Sequence, residues 1–555
     1  MSRNDHSDGQ TASGDSELSG AAKERASVGI TNPQSQPQAE SRATGERQYK
    51  GVKWAIVMIS LISSTFLYAL DNTVLATVRP SMIETFGRID MLTWLSIAYP
   101  MAEVGSNPFW GKLNTQFDNK VLYLIAMATF ETGSAIIGSA PIIEAAIVGR
   151  VIAGLGGSGI YVGTMNIVSA MTLPSERTNY LNQVGFAWAL GAVLGPVVGG
   201  AFAQSAATWR WAFYVNIVVA AVAAPACVFL IPPVVPSSPK SDTLWRRIKR
   251  IDYVGAVLFI GGVACVVAIL GFGGIVYPWD NGRMVGLYVA TVLVWAAFSI
   301  QQRWSLLTSD RIFPLQFISH GEMVILFCWT AIGIANVTVT IYSLPILFQF
   351  AYGDSPLKAA LWTLPFIGTI VVAAGPLGPL FPKYPVYMVW YLGASVLLLV
   401  AGGLMSSILY STPRGVICAY TIVQGLGCAP IIQLGFTVGQ SKMGRAAVGQ
   451  VSGFMTCAQM GALAISLGIA TTVFMNRTTE DIAAIAPDLP RDMIHAAISG
   501  VGSAVFDHLL PQARRRVVEA VARNIGKVFY LNVAGAAFGF IIALCLKYEW
   551  LDLSV

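Results

Sequence analysis

The stretch Gly191-Ala192-Val193-Leu194-Gly195-Pro196-Val197-Val198-Gly199-Gly200 decides how this chain must be read. Glycines at i, i+4 and i+8 fall on one helix face and leave a strip without side chains, where a second helix can approach closely. Pro196 removes one backbone hydrogen bond and can bend that helix. The stretch carries no charge. The apolar run around it reaches from about 183 to about 205, enough for one bilayer crossing at roughly 20 residues each.

Similar windows recur at about 54–76, 92–112, 121–140, 145–171 and 210–232, then at about 252–274 and 284–301, and again at about 322–350, 358–381, 385–408, 415–439, 447–473 and 528–547. With the opening stretch they make fourteen spans, grouped six, two and six. The 555 residues are 55% hydrophobic and 12% charged, with a mean hydropathy of +0.62. Soluble domains carry about 25% charge, so a soluble enzyme, a disordered hub and a nucleic-acid binder are excluded in favour of an all-α polytopic membrane protein. The seven cysteines lie in apolar stretches and read as small buried hydrophobes. None of the four histidines sits within a span beside other ligand types, and no Gly-x-x-x-x-Gly-Lys-[Ser/Thr] loop is present. Neither a metal nor any other cofactor is expected, and ATP is not the expected energy source.

Residues 1–50 are polar and read as a disordered cytoplasmic tail. The expected division continues with a six-helix bundle at 51–235, a basic linker with two extra spans at 236–320, and a second six-helix bundle at 321–555. With the tail inside, 21 of the 35 basic residues fall in cytoplasmic segments, whereas Arg79, Arg88, Arg210, Arg283, Lys358 and Arg414 fall in short outer loops. Both termini are then cytoplasmic. A long external loop at 474–527 opens with Asn476-Arg477-Thr478, a glycosylation sequon. Within it Val517, Val518, Val521 and Ile525 recur at helical spacing and predict an amphipathic helix. Val151-Ile-Ala-Gly-Leu-Gly156 in the fourth span echoes Ile422-Val-Gln-Gly-Leu-Gly427 in the twelfth. An even number of spans separates them, so the two halves form a parallel repeat, with a substrate site expected between them near mid-membrane.

The Gly191–Gly200 stretch resembles the antiporter motif of the major facilitator superfamily. Leu70-Asp71-Asn-Thr73-Val74-Leu-Ala-Thr77-Val-Arg-Pro80 is similar to the first-span signature of its fourteen-span drug:proton antiporters, and Gly149-Arg150-Val-Ile-Ala-Gly154-Leu-Gly156-Gly157 to their fourth-span motif. Ser175-Glu176-Arg177, Trp209-Arg210-Trp211 with Phe213-Tyr214-Val-Asn216, and Leu344-Pro345 through Phe348-Gln349 resemble fungal efflux pumps of that type. The resemblance implies a major facilitator fold of two six-helix bundles plus two extra central spans. One loop departs from the family pattern. Gly111-Lys112-Leu113-Asn114-Thr115-Gln116-Phe117-Asp118-Asn119-Lys120 has Thr115 where the family has an acid and Asn119 where it has an arginine. The family's cytoplasmic latch is thereby weakened, with Asp118 and Lys120 as available substitutes.

Four ionisable residues lie within spans, where charge is costly and faces a cavity or a partner: Asp71, Glu103, Glu131 and Arg150. They are the candidate proton-coupling groups. The resemblance points to Asp71 and Arg150 first, while spacing leaves open which acid pairs with Arg150. Asn166, Gln183, Trp188, Asn336, Gln349 and Gln424 are candidates to line an apolar cavity with scattered amides. The expected protein is a monomeric proton-coupled exporter of small organic molecules in the plasma membrane, a vacuolar or vesicular membrane being the alternative location, with protons, substrate and lipid as its partners and no enzymatic activity. Uptake or exchange of a defined solute, such as a siderophore or organic acid, is the alternative within transport. A non-transporting sensor or scaffold is the alternative of another class.

Overall fold

Backbone N–H and C=O groups have no water to bond in a hydrocarbon layer, so a chain this apolar folds into long helices that satisfy them internally. A computed structural model of the chain describes residues 49–88, 91–234, 243–274, 276–308, 310–444, 447–490, 493–494, 498 and 511–551. Nearly all of the tail expected at 1–50, together with Lys240, His495 and His508, lies outside the described residues.

Among these residues fourteen helices are long enough to span: α1 (Gly51–Phe86), α2 (Leu92–Gln116), α3 (Asn119–Ser139), α4 (Ile143–Met171), α5 (Pro174–Ala203), α6 (Trp211–Leu230), α7 (Tyr253–Phe272), α8 (Gly282–Trp304), α9 (Gly321–Tyr352), α10 (Leu364–Lys383), α11 (Tyr387–Ser406), α12 (Arg414–Met443, broken at Ala429-Pro430), α13 (Val448–Ile485) and α14 (Pro511–Ala543, broken at Phe529). Thirteen are also apolar enough to cross a membrane. The exception, α2, buries Glu103, Ser106, Asn107 and Asn114, and it can do so because α4, α7 and α13 surround it with protein.

The repeat is visible in the packing. In the first half α1 lies on α5 and α6, α2 on α4, and α3 on α4 and α6. Adding eight to each label gives contacts of the second half: α9 on α13 and α14, α10 on α12, and α11 on α12 and α14. The halves meet through α2 against α13 and α5 against α10, which exchange under the same relation. The echoed glycines occupy equivalent places. A Cβ at Gly154 would press on Ala102 and Glu103 of α2, and one at Gly425 on Phe366 and Thr369 of α10. Gly156 likewise abuts Phe130 of α3, and Gly427 abuts Leu398 of α11. The two extra helices sit at one edge of the seam, where α7 touches both α2 and α13 and α8 packs on α7. Val285, Val289, Val292 and Leu293 of α8 are exposed, an apolar face suited to lipid.

Two helices outrun their expected spans. α1 continues to Phe86 because Val78 and Met82 are buried against protein, so Arg79 lies within the helix and not in an outer loop. α13 continues to Ile485, so the expected loop from 474 begins as helix. Asn476 therefore sits on a helix beside Gly274, and Thr478 of its sequon is buried. Pro511–Val528 is the expected amphipathic helix. It buries Val517, Val521 and Ile525 against Phe474, Met475 and Ile482 of the α13 extension, while Val518 is half-buried.

The Gly191–Gly200 stretch of α5 packs on α1. A Cβ at Gly191 would overlap the carbonyl of Phe66. One at Gly195 would overlap Thr73 Oγ1 and stand 2.7 Å from the Leu70 carbonyl, and one at Gly199 would stand 2.9 Å from the Val74 carbonyl. Gly200 points elsewhere, its nearest such contact being 4.0 Å. Since overpacking costs about 1–3 kcal/mol and backbone cannot yield as a side chain does, Gly195→Val should sharply lower folded yield and melting temperature, with Gly200→Ala near wild type. Size-exclusion profiles and thermal denaturation of the two variants check this.

Candidate functional site

Arg150 enters the core because the glycines that follow it on α4 bring three neighbours close: Gly154 faces α2, Gly156 faces α3, and Gly157 lies under Tyr68 of α1. Arg150 Nη1 donates to Asp71 Oδ2 at 2.9 Å and to the Asp71 carbonyl at 3.0 Å. Both side chains are buried, at 1% and 0% exposure. Asp71 Oδ1 accepts from Asn216 Nδ2 of α6 at 3.2 Å, and Asn216 also donates to Ser134 Oγ of α3 at 3.2 Å. The guanidinium stands 4.3 Å from the centre of the Tyr99 ring on α2. The acid that pairs with Arg150 is Asp71.

Glu103 lies one helical turn beyond Tyr99 and is fully buried. It is in hydrogen-bond contact with the Tyr68 hydroxyl and accepts, at 3.2 Å, from Asn72 Nδ2, both on α1. Tyr68 stacks on Tyr161 of α4 with ring centres 5.8 Å apart. The Tyr161 hydroxyl donates to Gln459 Oε1 of α13 at 2.8 Å, and Gln459 Nε2 donates to the Ile432 carbonyl of α12 at 2.9 Å. A polar path thus leads from the acidic cluster of the first half into the second. Glu131 is half-buried on α3, with no hydrogen-bond partner on Oε2.

The second half has amides where the first has charges. Gln424 Nε2 donates to Thr340 Oγ1 at 2.7 Å and to the Asn336 carbonyl at 3.4 Å, and Asn336 Nδ2 donates to the Ile332 carbonyl at 2.9 Å. These residues tie α12 to α9 and do not line the cavity between the halves. The space between the halves is narrow and is walled by Trp188 and Phe186 of α5, Ile334 and Val337 of α9, Ile370 of α10 and Gln433 of α12. No charged residue lines it. A second, smaller space shares Asn182 with it and extends past Thr178 and Trp390. Of the expected cavity residues Trp188 lines the larger space. Asn166 is buried on α4 with neither amide atom hydrogen-bonded, and Gln183 and Gln349 are half-buried away from it.

A profile of the Major Facilitator Superfamily matches residues 61–468. The chain belongs to the Major Facilitator Superfamily. It is 38% identical over 507 residues to "MFS-type transporter pgmG" of Aspergillus terreus, covering 91% of this chain and 90% of that one. It is 36% identical to the "Phomenoic acid biosynthesis cluster MFS-type transporter" of Leptosphaeria maculans, with 90% and 82% covered. "Efflux pump alnA" of Emericella nidulans is 35% identical, with 91% and 92% covered. The crystal structure of the human organic anion transporter MFSD10 (TETRAN) shares the fold at a TM-score of 0.52 and 15% identity, covering 88% of this chain and 100% of that one.

This superfamily member closes one end of its cavity, the end that also carries the segments flanking the extra helices. There Gly111 of α2 and Gly453 of α13 meet backbone to backbone; a Cβ on Gly111 would fall 2.9 Å from Gly453 Cα. Thr178 Oγ1 of α5 and Thr437 Oγ1 of α12 lie 3.1 Å apart, and Gln440 Nε2 donates to Ser169 Oγ at 3.2 Å. Asp118 does not cross the seam. It caps α3, accepting from the Lys120 amide at 2.9 Å and from the Val234 amide at 3.0 Å. The acid that engages α2 comes instead from the connector after α8: Asp310 pairs with Lys112 and accepts from Gln116 Nε2 at 2.8 Å. The same connector buries Phe317 and sets Phe313 and Phe317 edge-on against Phe454 of α13. Before α7, Arg247 Nη1 donates to the Gln116 carbonyl at 3.0 Å, covering an orphan carbonyl at the end of α2. Across the second half, Lys442 pairs with Glu322 and with Glu549 after α14, and this hydrogen-bonded ammonium holds the Glu549 carboxyl below its ordinary value.

Sequence reasoning missed Asp310, Tyr68, Tyr99 and Asn216 as site residues. Tyr68 and Tyr99 each stand a turn before an acid or its neighbour, the available signal; Asn216 lay in a quoted motif without a role; Asp310 carried no signal. A partly exposed ion pair contributes on the order of 1 kcal/mol. Asp310→Asn should therefore open this end about fivefold more often, read as faster labelling of a cysteine placed at Thr178. Exchanging the charges (Lys112→Asp with Asp310→Lys) should restore the wild-type labelling rate.

Proposed function

We propose that the chain is a proton-coupled exporter of small organic molecules, working as a monomer by alternating access in the plasma membrane. The termini and the closed end of the cavity face the cytoplasm. The observation that carries this reading is an uncharged, mostly apolar space between the two halves, together with a buried Asp71–Arg150 pair confined to one of them. Such a lining suits organic molecules that shed water readily and are oriented by a few amides, admitted when the halves move apart. The relatives named for efflux and for a biosynthetic cluster support export of secondary metabolites. Protons from outside neutralise a carboxylate of the cluster around Arg150 and shift the balance between outward- and inward-facing states. The membrane potential contributes about 2.3 kcal/mol per charge per 100 mV, so one proton per cycle drives substantial accumulation.

Deleting the gene should leave a metabolite inside the cell that the parent strain secretes; identical intracellular and secreted profiles would overturn export. With that metabolite, purified protein in proteoliposomes should transport against a concentration gradient when an inward proton gradient is imposed. Asp71→Asn should abolish this driven transport while keeping the folded size-exclusion profile, because Arg150 loses its counter-charge. Undiminished driven transport by that variant would remove Asp71 from the mechanism.

A further inference from the structure

One hydroxyl stands between the two halves. Tyr68 Oη lies within hydrogen-bond reach of Glu103 Oε1 in the first half and 2.9 Å from Met460 Sδ of α13 in the second. A phenol has a single hydrogen and can donate to only one of them. The choice depends on the state of Glu103. An ionised carboxylate only accepts, so it takes the Tyr68 hydrogen and leaves the thioether without a donor. A protonated Glu103 can donate to Tyr68 Oη, and the tyrosine hydrogen is then free to turn to Met460.

The surroundings of Glu103 favour the protonated form. The charged and titratable groups nearby are Tyr68 and Asp71 on α1, Tyr99 on its own helix, and Arg150 and Tyr161 on α4. From α13 come Met460 and Gln459, and α7 carries no charged residue along its length. Arg150 gives its hydrogen bonds to Asp71, so the groups hydrogen-bonded to Glu103 are neutral. With one guanidinium paired to Asp71, ionising Glu103 as well would place an uncompensated charge at 0% exposure inside the bundle. Asn72 donates to Oε2, which marks that atom as the carbonyl oxygen and Oε1, facing Tyr68, as the one that bears hydrogen.

We propose that Glu103 holds a proton in this closed-end state, and that its protonation switches the Tyr68 hydrogen from Glu103 to Met460, so that the proton is read by the second half as a contact between α1 and α13. The inference rests on the proton-coupled reading and names the site where coupling crosses the seam. A proton from one aqueous side adds to a Glu103 carboxylate oxygen, and the same proton later leaves to the other side; no other bond is made or broken. Tyr68 acts as a positioning residue that transmits the state of Glu103.

The test uses full-length protein in nanodiscs, without substrate. Infrared difference spectra between neutral and alkaline pH should show the carbonyl stretch of a protonated acid that Glu103→Gln removes and Glu131→Gln keeps. Tyr68→Phe should shift that band without abolishing it. Distances between spin labels on α1 and α13 should lengthen as pH rises in the wild type. They should be independent of pH in Met460→Leu, a near-isosteric change expected to fold. A band that survives Glu103→Gln, or a pH-dependent distance that survives both Tyr68→Phe and Met460→Leu, overturns the switch. If both signatures appear but an imposed proton gradient drives no transport in proteoliposomes, the exporter reading fails and the switch stands. Driven transport without the signatures overturns the switch alone.

Discussion

Arg150 and Asp71 are each costly alone in a membrane-spanning bundle, at about 2.5–3.5 kcal/mol near the middle of a helix, and removing one partner of such a buried pair costs about 3–5 kcal/mol. Much of the first half is arranged around keeping them together. Asn216 from α6 occupies the second oxygen of Asp71, Ser134 from α3 holds Asn216, and the Tyr99 ring of α2 covers the guanidinium. Five helices, α1, α2, α3, α4 and α6, therefore contribute to the surroundings of one ion pair.

Side chains as short as Asp and Asn can meet across helices only where the helix axes lie close together, and glycine is what allows that. Gly154, Gly156 and Gly157 draw α2, α3 and α1 onto α4 one to two turns beyond Arg150. Gly191, Gly195 and Gly199 hold α5 against α1 on either side of the Asp71 level, through contacts with Phe66, Leu70, Thr73 and Val74. The glycine motifs and the charged residues are thus parts of one construction: the first sets the distance that the second requires.

Much of the fold was legible in the sequence because lipid permits few answers. Fourteen apolar windows, a glycine strip and an echo between two spans led to the parallel halves whose contacts repeat in the structure. Helix ends were less legible. Hydropathy ends a span where polar residues begin, yet α1 and α13 run on because their polar ends pack on protein, as when Trp209 Nε1 donates to Thr85 Oγ1 at 3.0 Å. The candidate site was legible only by residue type. Asp71, Glu103 and Arg150 are rare charges in apolar windows and could be found one at a time, but their pairing depends on how helices rotate against each other. Asp310 is an ordinary acid in a polar connector, and nothing in its neighbours indicated that the connector would return to the end of α2.

The two halves share a backbone plan and differ in chemistry. The position equivalent to Arg150, at the offset that relates Gly154 to Gly425, is Thr421, which hydrogen-bonds within its own helix to the Cys418 carbonyl. Nearby, Gln424, Thr340 and Asn336 form a neutral network. A proton can therefore change the charge of the first half without changing that of the second, whose wall of the cavity stays neutral and apolar throughout. An uncharged cargo would then interact with both halves through contacts that do not depend on protonation. In the proton-coupled reading proposed above, coupling between proton and cargo would then pass through the geometry of the seam, where α2 meets α13 and α5 meets α10, and not through competition of proton and cargo for one carboxylate. Contacts across the seam include Gly111 on Gly453, Tyr161 to Gln459, Tyr68 beside Met460, Gln440 to Ser169 and Thr178 beside Thr437, and so a changed hydrogen bond there acts directly on the packing of one half against the other.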